Sequence, residues 1–497
     1  MELPKMNVKK SNVKKSVNAF NYNKMDAKKS NKKKILLLSD DVRLKSGVGT
    51  VSREMIRGTL HKYDWVQLGG ALKHPDDGQG PIDYSENFIS VGAPKDSSVK
   101  IYPSTGYGTP HVLRTIIKAE EPDAIIHFTD PRFWGWLYNM EHEIRKEIPL
   151  TYLNIWDDLP FPHWNENFYE SCDLLMAISK QTYNINKHVC QRKPRTDWDL
   201  TYVQHGIDEN IYKPIDPIDI EFVKFRKEFT QGKDFDFIVG FNSRNIRRKS
   251  PSDLMLGFKK FCDSLPKEKA KKCLLVYHTD PVDNNGTDLP AVKANLAPDC
   301  NVLFSPEKID EKYMNYFYNL CDVIACPSSA EGFGLSHMEA MMSGTPTITS
   351  VIGGLQDQMG FKVNGKDITV DDFTAEKPSN STGELSTDHG EWTLPLWPQL
   401  NLQGSPATPY IYDSRVSISQ ITNQIKVWYD MNSEERKRRG LAGRNWAIKN
   451  GFTHKGMCEA LISSLEGCFK NWEKREAFTL IDINNLKDKI YPAGEIL

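Results

Sequence analysis

Short unbroken apolar runs punctuate the chain from Ile35 onward. ILLLSD at Ile35 is the first, and DWVQLGG around Val66, PDAIIHF around Ile125, PLTYLNIW around Leu153, LLMAIS around Leu175 and TYVQHG around Val203 repeat it. Runs of this length without alternation suit strands covered on both faces. Amphipathic segments such as VSREMIRGTLHKY and HVLRTIIKAEE separate several of them. Strands alternating with helices imply parallel strands and right-handed crossovers. The alternation pauses at Pro214–Pro217 and restarts at FDFIVGFNS, continuing through CLLVYHTD, NVLFSP, CDVIACPS and TPTITSV. The pattern therefore predicts an α/β protein with two successive units facing across a cleft. Ligands of such sheets bind outside the carboxyl ends of the strands.

The predicted divisions are a first unit over 35–215, a linker over 216–232, a second unit over 233–450 and C-terminal helices over 451–497 that return towards the first unit. Residues 361–415 are rich in Pro, Gly, Ser and Thr and break the pattern, which predicts an irregular insertion. Within it, Trp392 and Trp397 suit either a core or an acceptor platform. Ser433–Lys474 reads as polar helices interrupted at Asn450-Gly451.

Composition narrows the class. A length of 497 residues suggests roughly two or three packed units. At 39% hydrophobic the chain is not a disordered one. No apolar stretch approaches the ~18–20 residues of a membrane span, and no secretory leader is expected. The nine cysteines are scattered, without disulfide or zinc spacing, so reduced thiols in a cytoplasmic protein are expected. A net charge of -1, with +9 on residues 1–34, leaves -10 on the rest. That tail is too polar to fold alone. It suits a solubilising leader or an electrostatic arm for a polyanion such as DNA.

The stretch SSAEGFGLSHMEAMMSGTPTITS carries the most chemistry. A strand runs into a turn holding Gly332, Phe333 and Gly334, and a helix starts near Leu335. Glycines admit a ligand close to the backbone, and a helix N-terminus favours phosphate. Glu331 precedes the turn and Glu339 follows one helical turn inside, so two carboxylates can meet hydroxyls beside a phosphate. The rival reading makes Ser336 and Glu339 a capping box. Arg244 and Lys249, in SRNIRRK after a strand, can neutralise charge on a leaving phosphate; a solvated basic run is the alternative. Gly47 and Gly49 in LKSGVGT do not fit a dinucleotide fingerprint. Ser52 stands at the third glycine position, and no acid ends VQLGG.

The combination E-G-F-G-L-x-x-x-E-A-M, then G-T-P and G-G-x-x-D at Gly353, Gly354 and Asp357, resembles the E-x7-E signature of retaining glycosyltransferases of family 4. HGIDENIYKP from His205 to Pro214 is similar to the family's segment closing its first domain, and LKSGVGT to its first glycine loop. The resemblance implies a GT-B fold, two Rossmann-like domains across a cleft. It implies metal-independent hexosyl or pentosyl transfer from a nucleoside-diphosphate sugar, UDP- foremost, without a cofactor. Arg244 and Lys249 would hold the diphosphate, Glu331 the sugar hydroxyls and Glu339 the ribose. Gly47, Gly49, Gly332, Phe333, Gly334 and Leu335 would border the donor. The family's usual histidine is replaced in NIWDDLPFPHW, where Asp157, Asp158 or His163 takes its contact, with Gly353 and Gly354 nearby. Asp157 and Asp158 also suit a helix cap. The acceptor stays open among a small molecule, lipid or glycan, a protein, and DNA with a hydroxymethylated base. The Lys-rich tail and a resemblance to glycosyltransferase-like proteins of tailed phages raise the last class, with DNA modification in a host cytoplasm. A GT-B nucleotide-sugar epimerase and a non-catalytic binding module are the rival functions.

Overall fold

A computed structural model describes residues 31–71, 80–190 and 194–475. Residues 1–30 of the basic tail and 476–497 of the expected C-terminal helices lie outside the described residues. The first unit carries β1 (Lys33–Asp40), β2 (Tyr63–Gly70), β3 (Ile82–Asp83), β4 (Val99–Pro103), β5 (Ala124–Phe128), β6 (Leu150–Asn154), β7 (Leu174–Ala177) and β8 (Leu200–Tyr202). They form one sheet in the order β3-β4-β2-β1-β5-β6-β7-β8, parallel except at β3–β4. Both faces of β1 are covered: Ile35 and Leu37 enter one core, Leu36 and Leu38 another. That is why its apolar run does not alternate.

The second unit carries β9 (Phe237–Asn242), β10 (Cys273–His278), β11 (Val302–Phe304), β12 (Val323–Cys326) and β13 (Thr347–Ser350). Two short strands, β14 (Lys362–Val363) and β15 (Lys366–Asp367), precede β16 (Thr393–Leu396), β17 (Gln399–Ser405) and β18 (Thr408–Arg415). The second sheet runs β11-β10-β9-β12-β13-β16, all parallel. Strand order reverses beside β1 in the first sheet and beside β9 in the second, the switch points where such sheets bind ligands. The helix His454–Asn471 crosses back to the first unit, where Tyr63 Oη donates to Glu466 at 2.8 Å.

Two expectations need correction. Residues 216–232 are more than a linker, because they hold the helix Ile220–Phe229. Asp219 caps it by accepting from the Phe222 amide at 2.8 Å, and Phe222 is buried against Tyr316. Residues 361–415 are not an irregular insertion: β16 extends the parallel sheet, and Phe361, Ile368 and Phe373 form a small core with Val351 and Met359. Trp392 is core. It lies 7% exposed against Gly360 and Gly443, its indole N–H donating to Gln358 O at 3.1 Å.

Candidate active site

The site assembles at both switch points. After β12 the chain turns through Gly332 to Gly334 into the helix Leu335–Met342. Gly334 occupies the N-cap with φ of 93° and no side-chain cap, so the first amides of that helix stay available. The capping box does not form, since the helix starts at Leu335. Glu339 instead accepts from Tyr318 Oη at 2.5 Å, and Tyr318 Oη accepts from Asn242 at the end of β9 at 2.6 Å. Burial raises the Glu339 pKa to about 7, against the lowering effect of the tyrosine bond.

Glu331 is the centre of the charge cluster. Lys249 Nζ bonds its Oε2, and Arg248 Nη1 lies 3.0 Å from the same oxygen. Burial pushes the Glu331 pKa up, but Lys249 and Arg248 hold it below the usual carboxylate value. Burial lowers the Lys249 pKa, with Glu331 opposing. Both cations come from the 3-10 turn Arg247–Lys249 that follows β9. The same turn is stitched to the loop after β12, because Ser329 N donates to Arg248 O at 2.6 Å and Arg248 Nη1 to Ala330 O at 2.5 Å.

Arg244, expected beside Lys249, points elsewhere. Its side chain is 63% exposed and pairs with Asp283 at 2.8 Å. Arg248, not Arg244, is the arginine that joins Lys249 at Glu331. The only sequence signal for it was the basic run itself.

The remaining predicted residues divide clearly. Gly353 and Gly354 pack on the turn: a Cβ on Gly353 would sit 2.1 Å from Glu331 O, and one on Gly354 2.2 Å from Gly332 O. The first unit closes from the opposite side. Gly47 starts the helix Gly47–Thr59 and faces Leu335, while Gly49 lies so close to the carbonyls of Asp41 and Leu44 that a Cβ has no room. The Phe333 ring meets His205, which also contacts Phe128; burial drops the His205 pKa to about 3, so it is neutral.

Asp157 and Asp158 follow β6 and line a cavity with Gly353 and Ser329. Burial raises both carboxyls. Arg248 and Lys249 oppose this at Asp157 while Glu331 adds to it, so Asp157 belongs to the same electrostatic cluster across the cleft. His163 opens the turn His163–Asn165, is exposed, and is not among the cavity-lining residues. Asp357 contacts the first unit, accepting from Lys180 N at 2.8 Å and Tyr202 Oη at 3.0 Å. Among the described residues, no group of three or more His, Cys, Asp and Glu side chains is placed to hold a metal. None of their helices is long and apolar enough to cross a membrane.

Residues 228–373, which contain Lys249, Arg248, Glu331, Glu339 and the Gly353-Gly354 pair, match the family model of glycosyl transferases group 1. In solved structures, Anabaena HepE in complex with UDP-glucose aligns over 87% of this chain and 99% of its own, at 16% identity and a TM-score of 0.59. The sucrose-phosphate synthase of Thermosynechococcus elongatus aligns over 88% and 100%, at 14% identity and a TM-score of 0.60. The fold is GT-B. Among curated relatives, the D-inositol 3-phosphate glycosyltransferase of Mycobacteroides abscessus is 28% identical over 195 residues, 38% of this chain and 40% of that protein. The mannosylfructose-phosphate synthase of Agrobacterium fabrum is 27% identical over 192 residues, 38% and 39% respectively. The matched stretch thus spans about two-fifths of the length of these relatives. On the GT-B frame, the Glu331 cluster belongs to the second domain and Asp157 and Asp158 to the first.

Proposed function

We propose that the chain is a retaining glycosyltransferase that moves a sugar from a nucleoside-diphosphate donor, UDP- foremost, to an acceptor hydroxyl. The observation that carries this reading is Glu331 bound by Lys249 and Arg248 at the mouth of a glycine turn that opens a helix N-terminus. A diphosphate leaving group develops negative charge as the sugar bond breaks. Lys249, Arg248 and the uncapped amides of the 335–342 helix are preorganised to neutralise it. Glu331, freed from its cations by the incoming diphosphate, accepts from donor-sugar hydroxyls, and Glu339 accepts from the ribose. The departing phosphate takes the acceptor proton, so no separate base is needed. Closure of the two domains excludes water and limits donor hydrolysis.

The test is incubation with a panel of nucleotide sugars, with NMR reading both donor consumption and the anomeric configuration of the product. Transfer or slow hydrolysis with the donor's configuration retained is expected. Glu331→Gln and Lys249→Ala are each expected to lose at least about 100-fold in rate, the scale of removing one preorganised charge contact. Inverted product, altered nucleotide sugar without transfer, or unchanged variants would overturn the reading.

A further inference from the structure

β17 and β18 form a two-stranded ribbon between β16 and the helix Ile418–Asp430, and so belong to the second domain. The ribbon has little core of its own: β17 is exposed along almost its whole length, with Leu402 at 63%. Isolated two-stranded ribbons are marginal in water. This one is held by the first domain, on the segment that follows the Asp157-Asp158 pair. Tyr412 N donates to Leu159 O at 2.7 Å, and Tyr410 Oη to Phe161 O at 3.2 Å. The Tyr410 ring meets Trp164 edge-on at 4.4 Å between centroids. Leu400, Tyr412 and Ser414 thereby wall the cavity whose other side is Asp157, Asp158 and Ser329.

We propose that this ribbon is the acceptor-selecting wall of the cleft, and that the acceptor it admits is an uncharged polyhydroxylated sugar. The proposal rests on the glycosyltransferase reading and names its acceptor class. The cavity is lined by hydroxyl-bearing residues, Tyr412 and Ser414 on the ribbon and Ser329, Ser379 and Ser381 around it, that can pair with sugar hydroxyls. Asp413 on the ribbon adds to the field of Asp157 at Asp158. The nearby cations are already engaged: Arg248 by Glu331 and Ala330 O, Lys249 by Glu331, and Arg132, which reaches Ala407 O on the ribbon at 3.4 Å, by Asp130. Burial and the neighbouring Asp157 and Asp413 push the Asp158 pKa up to about 8, so at neutral pH it presents a protonated carboxyl that donates to a sugar hydroxyl, while a phosphate-bearing acceptor would meet the Asp413 side chain and the donor diphosphate. The cavity holds about 20 Å³ with the ribbon seated, room for roughly one water. Entry of a sugar therefore requires the ribbon to shift outward against the packing of Ile411 and Tyr412 on the first-domain core.

The test uses the full chain saturated with UDP, its affinity measured calorimetrically in the same samples. The probes are glucose, galactose, mannose, maltose and lactose, the 6-phosphates of the first three, and an oligonucleotide carrying hydroxymethylcytosine, read by saturation-transfer NMR and titration. At least one uncharged sugar is expected to bind, and its phosphate at least ten-fold more weakly. Tyr412→Ala, and replacement of residues 400–414 by Gly-Ser-Gly, should lose sugar binding while UDP affinity stays within two-fold. Binding of none of the uncharged sugars, equal or tighter binding of a phosphate, preference for the oligonucleotide, or sugar binding untouched by ribbon replacement would each overturn the proposal. Absence of UDP binding in the unmodified chain would sink the glycosyltransferase reading first, and this inference with it.

Discussion

Lys249 is 7% exposed and Glu331 14%, so each is the other's compensation for leaving water. Removing one partner of a buried pair typically costs about 3–5 kcal/mol. Arg248 remains beside Glu331, so Lys249→Met should cost about 3 kcal/mol or less in urea unfolding. The double variant Lys249→Met/Glu331→Gln should recover part of that loss; a double variant as unstable as the sum of both singles would argue against direct pairing. Glu339 gives a pH signature. Its folded pKa, about 7, lies above its ordinary 4.5. Its protonated form is therefore favoured by folding, and this contribution is full below about 4.5 and lost as pH rises through about 7. UDP affinity should run the other way, strengthening as the carboxylate ionises and accepts from ribose hydroxyls. The part of the pH dependence that disappears in Glu339→Gln measures this effect, and identical profiles would remove Glu339 from the ribose.

At the scale of elements, the Gly353-Gly354 turn fixes the carbonyl side of the site. Gly353→Ala would drive a Cβ to 2.1 Å from Glu331 O at a φ of 42°. A cost of roughly 1–3 kcal/mol and weakened UDP binding are expected, since the clash is with backbone and has no side-chain escape; an unchanged melting temperature would contradict the close packing. The central strands such as β1 were legible because they are covered on both faces and read as unbroken apolar runs, whereas the exposed β17 was not. β16 was not, because Pro395 and Pro398 interrupt TLPLWP and resemble a loop, yet its apolar residues pair with β13. The 220–229 helix was hidden behind Pro214 and Pro217, although Phe222, Phe225 and Phe229 share one helical face. That Glu331, the glycine turn and Glu339 lie around one helix N-terminus was legible from their spacing. Which arginine of RNIRRK pairs with Glu331 was not legible, because that depends on the 3-10 turn, and Asp283 lies too far along the chain to be seen as the partner of Arg244.

Across the whole molecule, the two domains meet through polar latches that flank the cleft. Asp357 receives Lys180 N and Tyr202 Oη, and Gln356 Nε2 donates to Gln181 Oε1 at 2.8 Å. Burial raises the Asp357 pKa, with the Lys180 charge and both hydrogen bonds opposing. Asp357→Ala should leave those donors unpaired and loosen the domains, seen as a larger radius of gyration in X-ray scattering of the UDP-free protein; an unchanged profile would place the closure elsewhere. Calorimetric titration of UDP into the intact chain tests the central claim most directly. One UDP per chain is expected, weakened at least ten-fold in Lys249→Ala and in Arg248→Ala but less than three-fold in Arg244→Ala. No UDP binding, or loss confined to Arg244→Ala, would contradict a diphosphate site centred on Lys249, Arg248 and Glu331.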